Sequence, residues 1–472
     1  MFSFSNFRPN YYQLTSVKKK LIATSKLGIL SSFVLFGMQA HSQTLIDVYK
    51  QAQENDHTYR AARANYEAGL ENKNLGRSAL LPQINGNISL TDTDTSRKGS
   101  SFFFDDQDTK DESRSYSISL SQTLFNLSTW YEYKNSKIVT NIAEVNFEQA
   151  KQDLVLRTAQ AYFDTLQATE DLETSKAQEV ALMKQLEQAK QRFEVGLIAV
   201  TEVHEAQAAY DSARAEKLNA QGAVGIAFDA LEVLTGRPYV KISPFKQDFP
   251  VEAPQPSDRQ EWIDMALQNN PDLKAQSLNA EAFKQTAKAR KADHYPTLDG
   301  SVSLFKSDND QTINDTPSSN LATDVTEISI TLNVPIFSGL GTSAARRQAN
   351  HESIAAREQY LQTQRNTVQS ARSLHLSVLT GVATVDARKQ AIISSSSAYE
   401  ATNAGYEVGT RDLVDVLNAQ RSVFQAERDH DTALYDYVIN ALNLKAVAGV
   451  LGEKDIAELN NWLDNSAPVT RH

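Results

Sequence analysis

The titratable side chains of this chain do not form a familiar catalytic or metal-binding pattern. The sequence contains eight histidines, no two of them at the spacing of a metal-binding pair, and no cysteine. It also lacks a phosphate-binding glycine loop, a Gly-x-Ser-x-Gly motif and a dinucleotide fingerprint. Without cysteine it cannot form disulfides, thiolate metal sites or a lipid-modified N-terminal cysteine. We therefore predict that the protein is not an enzyme and carries no cofactor.

Acidic residues are abundant, but their arrangement suggests solvation. The segments 105–112 and 308–315 are rich in aspartate, yet they lack the glycine and the terminal glutamate of a calcium-binding loop. We interpret both as solvated extracellular loops that bind cations weakly at most. The aromatic triplet 102–104 is either a packing cluster or a surface receptor for phage or toxins, and we favour packing. Carboxylates elsewhere lie in helical patterns, where charged residues usually form a solvated face.

The first 42 residues have the pattern of a bacterial export signal. Lysines at 18–20 precede a short apolar stretch at 27–38, and Ala40-His41-Ser42 offers a small-residue cleavage site. The stretch is shorter than the roughly 20 residues of a spanning helix, although a retained anchor is the alternative. No comparable apolar run follows, which argues against a helical membrane protein. The net charge is −11, and removal of this basic segment makes it −16, so we expect no nucleic acid partner.

The chain also contains a long internal repeat. Three blocks return about 213 positions later in the same order: 82–90 as 296–304, 118–125 as 330–337, and 193–196 as 406–409. This period is far longer than that of stacked solenoid repeats and indicates a duplication. The predicted parts are a first structural repeat at 43–236, a proline-rich linker at 237–257, a second repeat at 258–450 and a short polar C-terminal tail at 451–472.

Each half begins with strand-like segments. After a predicted helix at 44–79, the period changes, and in residues 115–124 apolar side chains alternate with serine and threonine. Residues 328–336 repeat this pattern. A soluble half-buried sheet also alternates, but its exposed face usually carries charges. Small hydroxyls opposite a wholly apolar face suit a barrel wall between lipid and water, and about ten residues suffice to cross a bilayer.

Very long helices follow the strands. Residues 127–195 contain neither glycine nor proline, which predicts a helix roughly 100 Å long. Its apolar residues form two stripes on opposite flanks, as in a curved wall of helices. Gly196 and Gly409 end the long helices, and return helices follow, the second at 410–448. Gly381 is expected to interrupt the second long helix, for no evident reason.

These elements together suggest a pore built from several chains. Four strands per chain cannot close a barrel, and lipid does not tolerate an open sheet edge. Three chains would supply twelve strands, but two or four chains remain open on this reasoning. Helices of about 100 Å would cross most of the periplasm.

The helix-turn blocks 193–202 and 406–417 and the strand starts 81–83 and 295–297 resemble the TolC family of outer-membrane efflux and type I secretion channels. The resemblance covers the whole mature chain. It implies an α+β membrane protein, in which a homotrimeric twelve-stranded β-barrel continues into a periplasmic α-helical barrel of coiled coils. It also implies an equatorial region formed partly by the linker and the C-terminal segment.

The resemblance further implies a location and partners. The protein would lie in the lipid of the outer membrane of a Gram-negative bacterium, with its helices in the periplasm. It would be a passive exit duct, opened by recruitment of a periplasmic adaptor and an inner-membrane pump that is either proton-driven or an ABC transporter. The adaptor would contact the helix tips, at Val195, Gly196, Leu197, Val408, Gly409 and Thr410.

Finally, the resemblance implies a periplasmic gate. Tyr406 and Arg411 on the second hairpin would link to Thr201 and Glu202 on the first. The family carries two aspartates, three residues apart, at the constriction; this chain has Asp415 but then Asn418. We therefore expect a weaker negative charge there than in the family. Without the resemblance, these residues would be interpreted as solvated charges on helix tips.

Two other functions make different predictions. A structural coiled-coil protein or a periplasmic adaptor would give a soluble product after signal removal. A periplasmic enzyme would need a cluster of titratable groups, which the sequence does not show.

Overall fold

The computed structural model describes residues 43–99, 106–239, 241–246, 248–466 and 468–470. The predicted export signal and the aromatic triplet 102–104 lie outside these residues. The described part of the chain contains ten helices: α1 (Leu45–Asn55), α2 (His57–Leu70), α3 (Asn72–Ser78), α4 (Leu127–Glu194), α5 (Val200–Thr235), α6 (Arg259–Asn269), α7 (Pro271–Ala292), α8 (Gly341–Glu407), α9 (Leu413–Val447) and α10 (Glu453–Asn460).

Four long strands form one antiparallel sheet. They are β1 (Gln83–Arg97), β2 (Gln107–Phe125), β4 (Thr297–Ile313) and β5 (Thr316–Asn333), in the spatial order β1-β2-β4-β5. The short strands β3 (Lys241–Ile242) and β6 (Val469–Thr470) pair separately. Register places Ile118 opposite Leu304 on one face and Ser119 opposite Ser303 on the other. The alternation predicted from sequence is thus continuous across neighbouring strands.

The strands are longer than expected from the sequence. They span 15 to 19 residues rather than about ten, and most of the two segments predicted as acidic loops is strand. Glu112 pairs with Asp92 and Asp310, and the Nζ of Lys110 lies 3.5 Å from a carboxylate oxygen of Glu112. The loop prediction was wrong because backbone pairing continues past the apolar band, where side-chain alternation no longer marks it. Only Asn314 and Asp315, both at positive φ, separate β4 from β5.

The predicted helix at 44–79 is three helices. Asp56 ends α1 in an extended conformation, and its carboxylate accepts hydrogen bonds from the N–H groups of Thr58 and Tyr59 at the start of α2. An aspartate in this position caps a new helix rather than extending the old one. Glu71 separates α2 from α3.

The two long helices run without a break. Helix α4 has 68 residues and α8 has 67, which at about 1.5 Å per residue gives roughly 100 Å each. Gly381 does not interrupt α8, contrary to expectation. A Cβ at Gly381 would lie 3.5 Å from the ring of Tyr437 in α9, which is an ordinary van der Waals distance, so the position packs against α9 without requiring a glycine. Helix α9 begins at Leu413 because Asp412 caps it, three residues after the predicted start.

The C-terminal segment is not a polar tail. Residues 453–460 form α10, and Leu451, Ile456 and Leu463 are buried. Strand β6 pairs with β3 from the linker, so the linker and the C-terminus form one structure. This structure packs beside the middle of α4, where the Tyr162 hydroxyl donates to the Ser243 carbonyl oxygen at 2.7 Å. The apolar residues are scattered, so the segment looked polar in sequence, although Leu451, Ile456 and Leu463 are buried in the structure.

None of the helices in the described ranges combines the length and the apolar character needed to cross a membrane.

Candidate functional site

The two long hairpins end in turns of the same construction. Val195 and Val408 follow the last residues of α4 and α8, and Gly196 and Gly409 then adopt φ values of 76° and 78°. In the first turn the Leu197 N–H donates to the Arg192 carbonyl at 2.8 Å. The second turn repeats this bond between Thr410 and Gly405, also at 2.8 Å. A glycine in the left-handed conformation, followed by a hydrogen bond between residues five positions apart, is a standard way to end a helix. The sequence itself therefore specifies both tips.

The tips expose large apolar side chains. The side chains of Val195, Leu197 and Val408 are 70%, 69% and 76% exposed within one chain. Apolar side chains held out on a tightly bonded turn form a contact surface that a partner can cover. The six predicted adaptor-contact residues therefore lie together at one end of the hairpins, three on each turn.

The second tip carries a charged pair. An Arg411 Nη1 lies 3.3 Å from an Asp415 carboxylate oxygen, one helical turn further on. The Asp412 carboxylate accepts the Asp415 N–H at 2.8 Å and so fixes the start of α9. Both members of the pair are exposed, and an exposed pair of this kind contributes only about 0–1 kcal/mol. The pair orients Asp415 without holding it strongly.

Gly405 makes room for this arrangement. A Cβ on Gly405 would lie 2.9 Å from the Arg411 Cγ, and the Thr410 hydroxyl donates to the Gly405 carbonyl at 3.0 Å. The chain after the turn therefore folds directly back over α8.

Tyr406 joins the two hairpins. The Arg192 guanidinium on α4 lies 4.6 Å from the centre of the Tyr406 ring on α8. Beside it, Leu413 and Leu417 of α9 are buried in an apolar cluster with α4 and α5, which contribute Leu182, Leu186, Ala189, Ala206, Ala209 and Ala213. The burial of the two leucines and the cation–π contact between Arg192 and Tyr406 together hold the second tip against the first.

The other predicted gate residues are nearby but do not contact this pair. Thr201 and Glu202 lie in the first turn of α5. Within the described part of one chain, no hydrogen bond or ion pair connects them to Tyr406 or Arg411. Asn418 is exposed on α9, one turn beyond Asp415. The links from Tyr406 and Arg411 to Thr201 and Glu202 therefore stay a prediction.

A groove runs above the tips between α4 and α8. Its volume is about 930 Å³, and its lining extends from Glu173 to Arg192 on α4 and includes Tyr399, Asn403 and Tyr406 of α8. At about 1.5 Å per residue, the α4 side of the groove is roughly 30 Å long. Such a groove has the length and width to receive another helix.

Sequence reasoning missed two features. The first is Arg192. Its counterpart in the second repeat is Gly405, and this difference between the repeats could have drawn attention to Arg192. The second is a carboxylate cluster between α4 and α9, where all helical carboxylates were expected to be solvated. The Tyr435 hydroxyl donates to Glu170 at 2.8 Å, and burial together with the nearby Asp431 raises the pKa of Glu170 to about 8. Burial also raises the pKa of Asp431, against the opposing effect of His430.

Comparisons with known proteins agree with this architecture. The chain matches the family described as "Outer membrane efflux protein" over residues 48–237 and 262–450. It is 32% identical to the outer membrane protein TolC of Vibrio cholerae over 447 residues, which cover 94% of this chain and 98% of the relative. TolC of Escherichia coli is 31% identical, with 94% of this chain and 90% of the relative covered. The alkaline protease secretion protein AprF of Pseudomonas aeruginosa is 29% identical, with coverages of 93% and 91%.

Solved structures show the same fold. The structure of CusC aligns with a TM-score of 0.73 at 18% identity, covering 86% of this chain and 92% of that chain. The CmeC outer membrane channel of Campylobacter jejuni aligns with a TM-score of 0.71 at 19% identity, covering 89% and 90%. Channel homologues of this kind form trimers. The chain belongs to the outer membrane efflux protein family and is a non-enzymatic outer membrane channel of the TolC type from a Gram-negative bacterium.

Proposed function

We propose that three copies of this chain form one continuous duct, which is a passive exit route gated at the helix tips and opened by an adaptor and an inner-membrane pump. The observation that carries the proposal is the four-stranded sheet, whose two outer strands have no partner within the described chain. The long hairpins leave this sheet from one end and carry the duct into the periplasm. In this proposal the energy for transport comes from the pump, and the channel is passive.

The direction of the strands supports closure by identical copies. All three pairings in the sheet are antiparallel, so β1 and β5 run in opposite directions. The β5 edge of one copy can therefore pair with the β1 edge of the next without breaking the alternation. Three copies give twelve strands, an even number within the known range for outer-membrane barrels. Pairing removes every edge that lipid would otherwise leave unsatisfied.

The gate is proposed at the second hairpin tip. In the trimer, Tyr406 and Arg411 would bond to Thr201 and Glu202 of an adjoining hairpin and hold the tips inward. Three copies of Asp415 would then surround a narrow axis, repel one another and attract cations. Asn418 reduces the charge there. Individually weak links suit a gate, because an adaptor with modest differential binding energy can undo them.

The adaptor is proposed to bind the exposed tips and the groove between α4 and α8. The tips offer apolar contacts, and the groove offers a helix-sized channel lined by polar side chains and two tyrosines. The pump behind the adaptor would be proton-driven or ATP-driven. Similarity to TolC and to a protease secretion protein supports both small-molecule efflux and type I protein secretion as routes.

Conductance of the reconstituted trimer tests the gate. We expect Arg411→Glu to raise single-channel conductance in planar bilayers severalfold, because it replaces the Asp415 partner with a like charge and removes the proposed link to Glu202. Arg357→Glu, at an exposed position on α8 far above the tip, is the matched control and should leave conductance unchanged.

Two outcomes would contradict parts of the proposal. Equal conductance in both variants and the parent would exclude Arg411 from the gate. A processed protein that stays soluble and monomeric and never inserts into liposomes would exclude the duct and favour a coiled-coil bridging protein.

A further inference from the structure

Positive charge is concentrated where the helices meet the sheet. The four helix ends at this level are residues 72–78, 127–137, 282–292 and 341–351, which we call the basic collar. The collar contains ten lysines and arginines and one acidic residue, Glu132, and four further carboxylates lie at its margins, at Glu71, Glu281, Asp293 and Glu352. Two of these, Glu281 and Asp293, lie within 4 Å of Lys284 and Arg290. The level still carries five more positive than negative side chains, although the whole chain has a net charge of −11. Such a reversal of charge at a single level predicts a specific anionic partner.

One stripe of the collar combines lysines with aromatic rings. On α4, the Lys134 Nζ lies 5.6 Å from the centres of the Trp130 and Tyr131 rings, and the Lys137 Nζ lies 4.5 Å from the Tyr133 ring. The Lys288 Nζ, from α7, lies 5.9 Å from the Tyr131 ring. Within the described part of the chain, none of these three lysines forms an ion pair. Their charges are thus oriented by rings and are not paired directly with a carboxylate.

The stripe faces away from the neighbouring helices. The Ser128 hydroxyl and the Asn135 amide donate to Ala289 and Thr286 of α7, at 3.1 and 3.2 Å. Ser136 packs against Gly76 of α3, where a Cβ would overlap its hydroxyl. At 100° per residue, the α7 contacts and the α3 contact define a mean direction around α4. Trp130, Lys134 and Lys137 lie within about 40° of the direction opposite to this mean.

This direction is outward in the assembled duct, a step that rests on the proposed function. In a closed ring of helices, the two neighbours of any helix lie toward the concave side, so the opposite face points out. Helix α4 has its own chain's α3 on one side and α7 on the other, so a second copy does not cover this face. Trp130 is 45% exposed, consistent with a surface position.

The stripe also lies at the right height for lipid headgroups. Strand β2 ends at Phe125 and α4 begins at Leu127, so Trp130 and Lys137 lie about 5 and 15 Å from the end of the barrel wall. The headgroup layer extends roughly 5–8 Å beyond the hydrocarbon, and lysine side chains reach back toward it. Trp and Tyr prefer this interface as well.

We propose that the aromatic–lysine stripe, formed by Trp130, Tyr131, Tyr133, Lys134, Lys137 and Lys288, binds the anionic phospholipid headgroups of the periplasmic leaflet of the outer membrane. The lysines supply charge for the lipid phosphate, and the rings fix the depth of the channel in the leaflet. The site selects phosphatidylglycerol-like lipids over zwitterionic ones.

Tryptophan quenching tests this directly. The full trimer is reconstituted in phosphatidylcholine vesicles that contain an equal fraction of either brominated phosphatidylglycerol or brominated phosphatidylcholine. The Trp130 signal is obtained by subtracting the emission of Trp130→Phe, which retains the buried Trp262 and also Trp462. We expect brominated phosphatidylglycerol to quench Trp130 more strongly, and this preference to weaken in high salt.

Two triple variants distinguish an effect of the stripe lysines from a general effect of positive charge. A lysine near an anionic surface contributes roughly fivefold to binding, so Lys134→Gln/Lys137→Gln/Lys288→Gln should reduce the phosphatidylglycerol preference at least fivefold. The control Lys184→Gln/Lys190→Gln/Lys389→Gln removes three exposed lysines far along the helices and should keep the preference. Equal quenching by the two lipids in the parent, or equal loss in both variants, would overturn the proposal. Normal conductance of the stripe variant shows that the duct is intact, which keeps this result separate from failure of the proposed function.

Discussion

Arg411 and Asp415 form the charged pair at the second tip, with a nitrogen–oxygen distance of 3.3 Å. Their positions follow from the resemblance to the family, whereas their mutual pairing depends on the turn, because Arg411 lies before the Asp412 cap and Asp415 lies in the first turn of α9. The contact between Arg192 and Tyr406 could not be predicted in this way. These residues are 214 positions apart, and only the packing of α4 against the second hairpin brings them together.

Asp415 should control the ion preference of the duct. We expect Asp415→Ala to lower the cation preference and to weaken any block by multivalent cations, since it removes the only acidic side chain at the two family aspartate positions. Asn418→Asp should act in the opposite direction and raise the cation preference. The reversal potential in asymmetric salt measures both. If neither substitution moves it, Asp415 is not at the constriction.

Glu170 should make helix stability depend on pH. Its pKa rises from 4.5 to about 8 through burial and the nearby Asp431, so the folded chain binds this proton more tightly than the unfolded chain does. Stability from this group therefore decreases as the pH rises from about 4.5 to about 8, and the cost remains above that range.

Glu170→Gln mimics the protonated form and keeps an acceptor for the Tyr435 hydroxyl. We expect it to stabilise the helices by roughly 1–3 kcal/mol at pH 8.5 and to have little effect at pH 4.5. The midpoint of helix melting, followed by circular dichroism, measures this, with the exposed Glu187→Gln as control. A larger gain at the lower pH would show that the sign is wrong.

The helical elements were largely predictable because glycine, proline and capping residues mark their ends. Gly196 and Gly409 ended α4 and α8 at the expected places, where both have positive φ, whereas Gly381 keeps the helical conformation within α8. Composition alone does not distinguish a glycine that terminates a helix from one that lies within it.

The left-handed glycine at the second tip should be required for its turn. We expect Gly409→Ala to cost about 1–2 kcal/mol locally, since an alanine at φ 78° is strained although no atom lies within 4 Å of its Cβ. Hydrogen exchange of the Thr410 amide, which bonds to the Gly405 carbonyl, should accelerate about fivefold or more. Gly222→Ala, within helix α5 and also in open space, should not affect this amide.

The strand elements were predictable only where lipid imposes alternation. Ile84 to Leu90 and Tyr116 to Leu124 marked the apolar band, and the ladder beyond it carries charged residues such as Asp92 and Lys110. Hydrogen bonding between the backbones continues there whatever the side chains are. The pattern of side chains in the sequence therefore does not show where the strands end.

For the whole molecule, the apolar face of the sheet should tolerate no charge near the middle of the membrane. We expect Ile118→Lys, beside Leu304 on that face, to destabilise the assembled barrel by roughly 2–4 kcal/mol per chain. Ser119→Lys on the opposite face should be tolerated. The urea concentration that dissociates the trimer in liposomes compares the two. Equal sensitivity would mean that the faces are assigned incorrectly.

The number of copies was not predictable from the residues, which allow two, three or four. The number of copies depends on how separate chains meet, and no periodicity within one sequence encodes this. The proposed number of three rests on the trimers that channel homologues form. The antiparallel directions of β1 and β5 are compatible with it.

In the proposed trimer, the β1 and β5 edges, which have no partner within the described chain, also mean that one defective subunit harms its healthy companions. A polypeptide with an intact β1 edge but a disabled β5 edge would still dock onto a growing assembly and then leave a gap that no third copy can seal. Co-production of such a polypeptide with the normal one should therefore poison most complexes. At equal amounts, random mixing leaves only about one assembly in eight with three normal members.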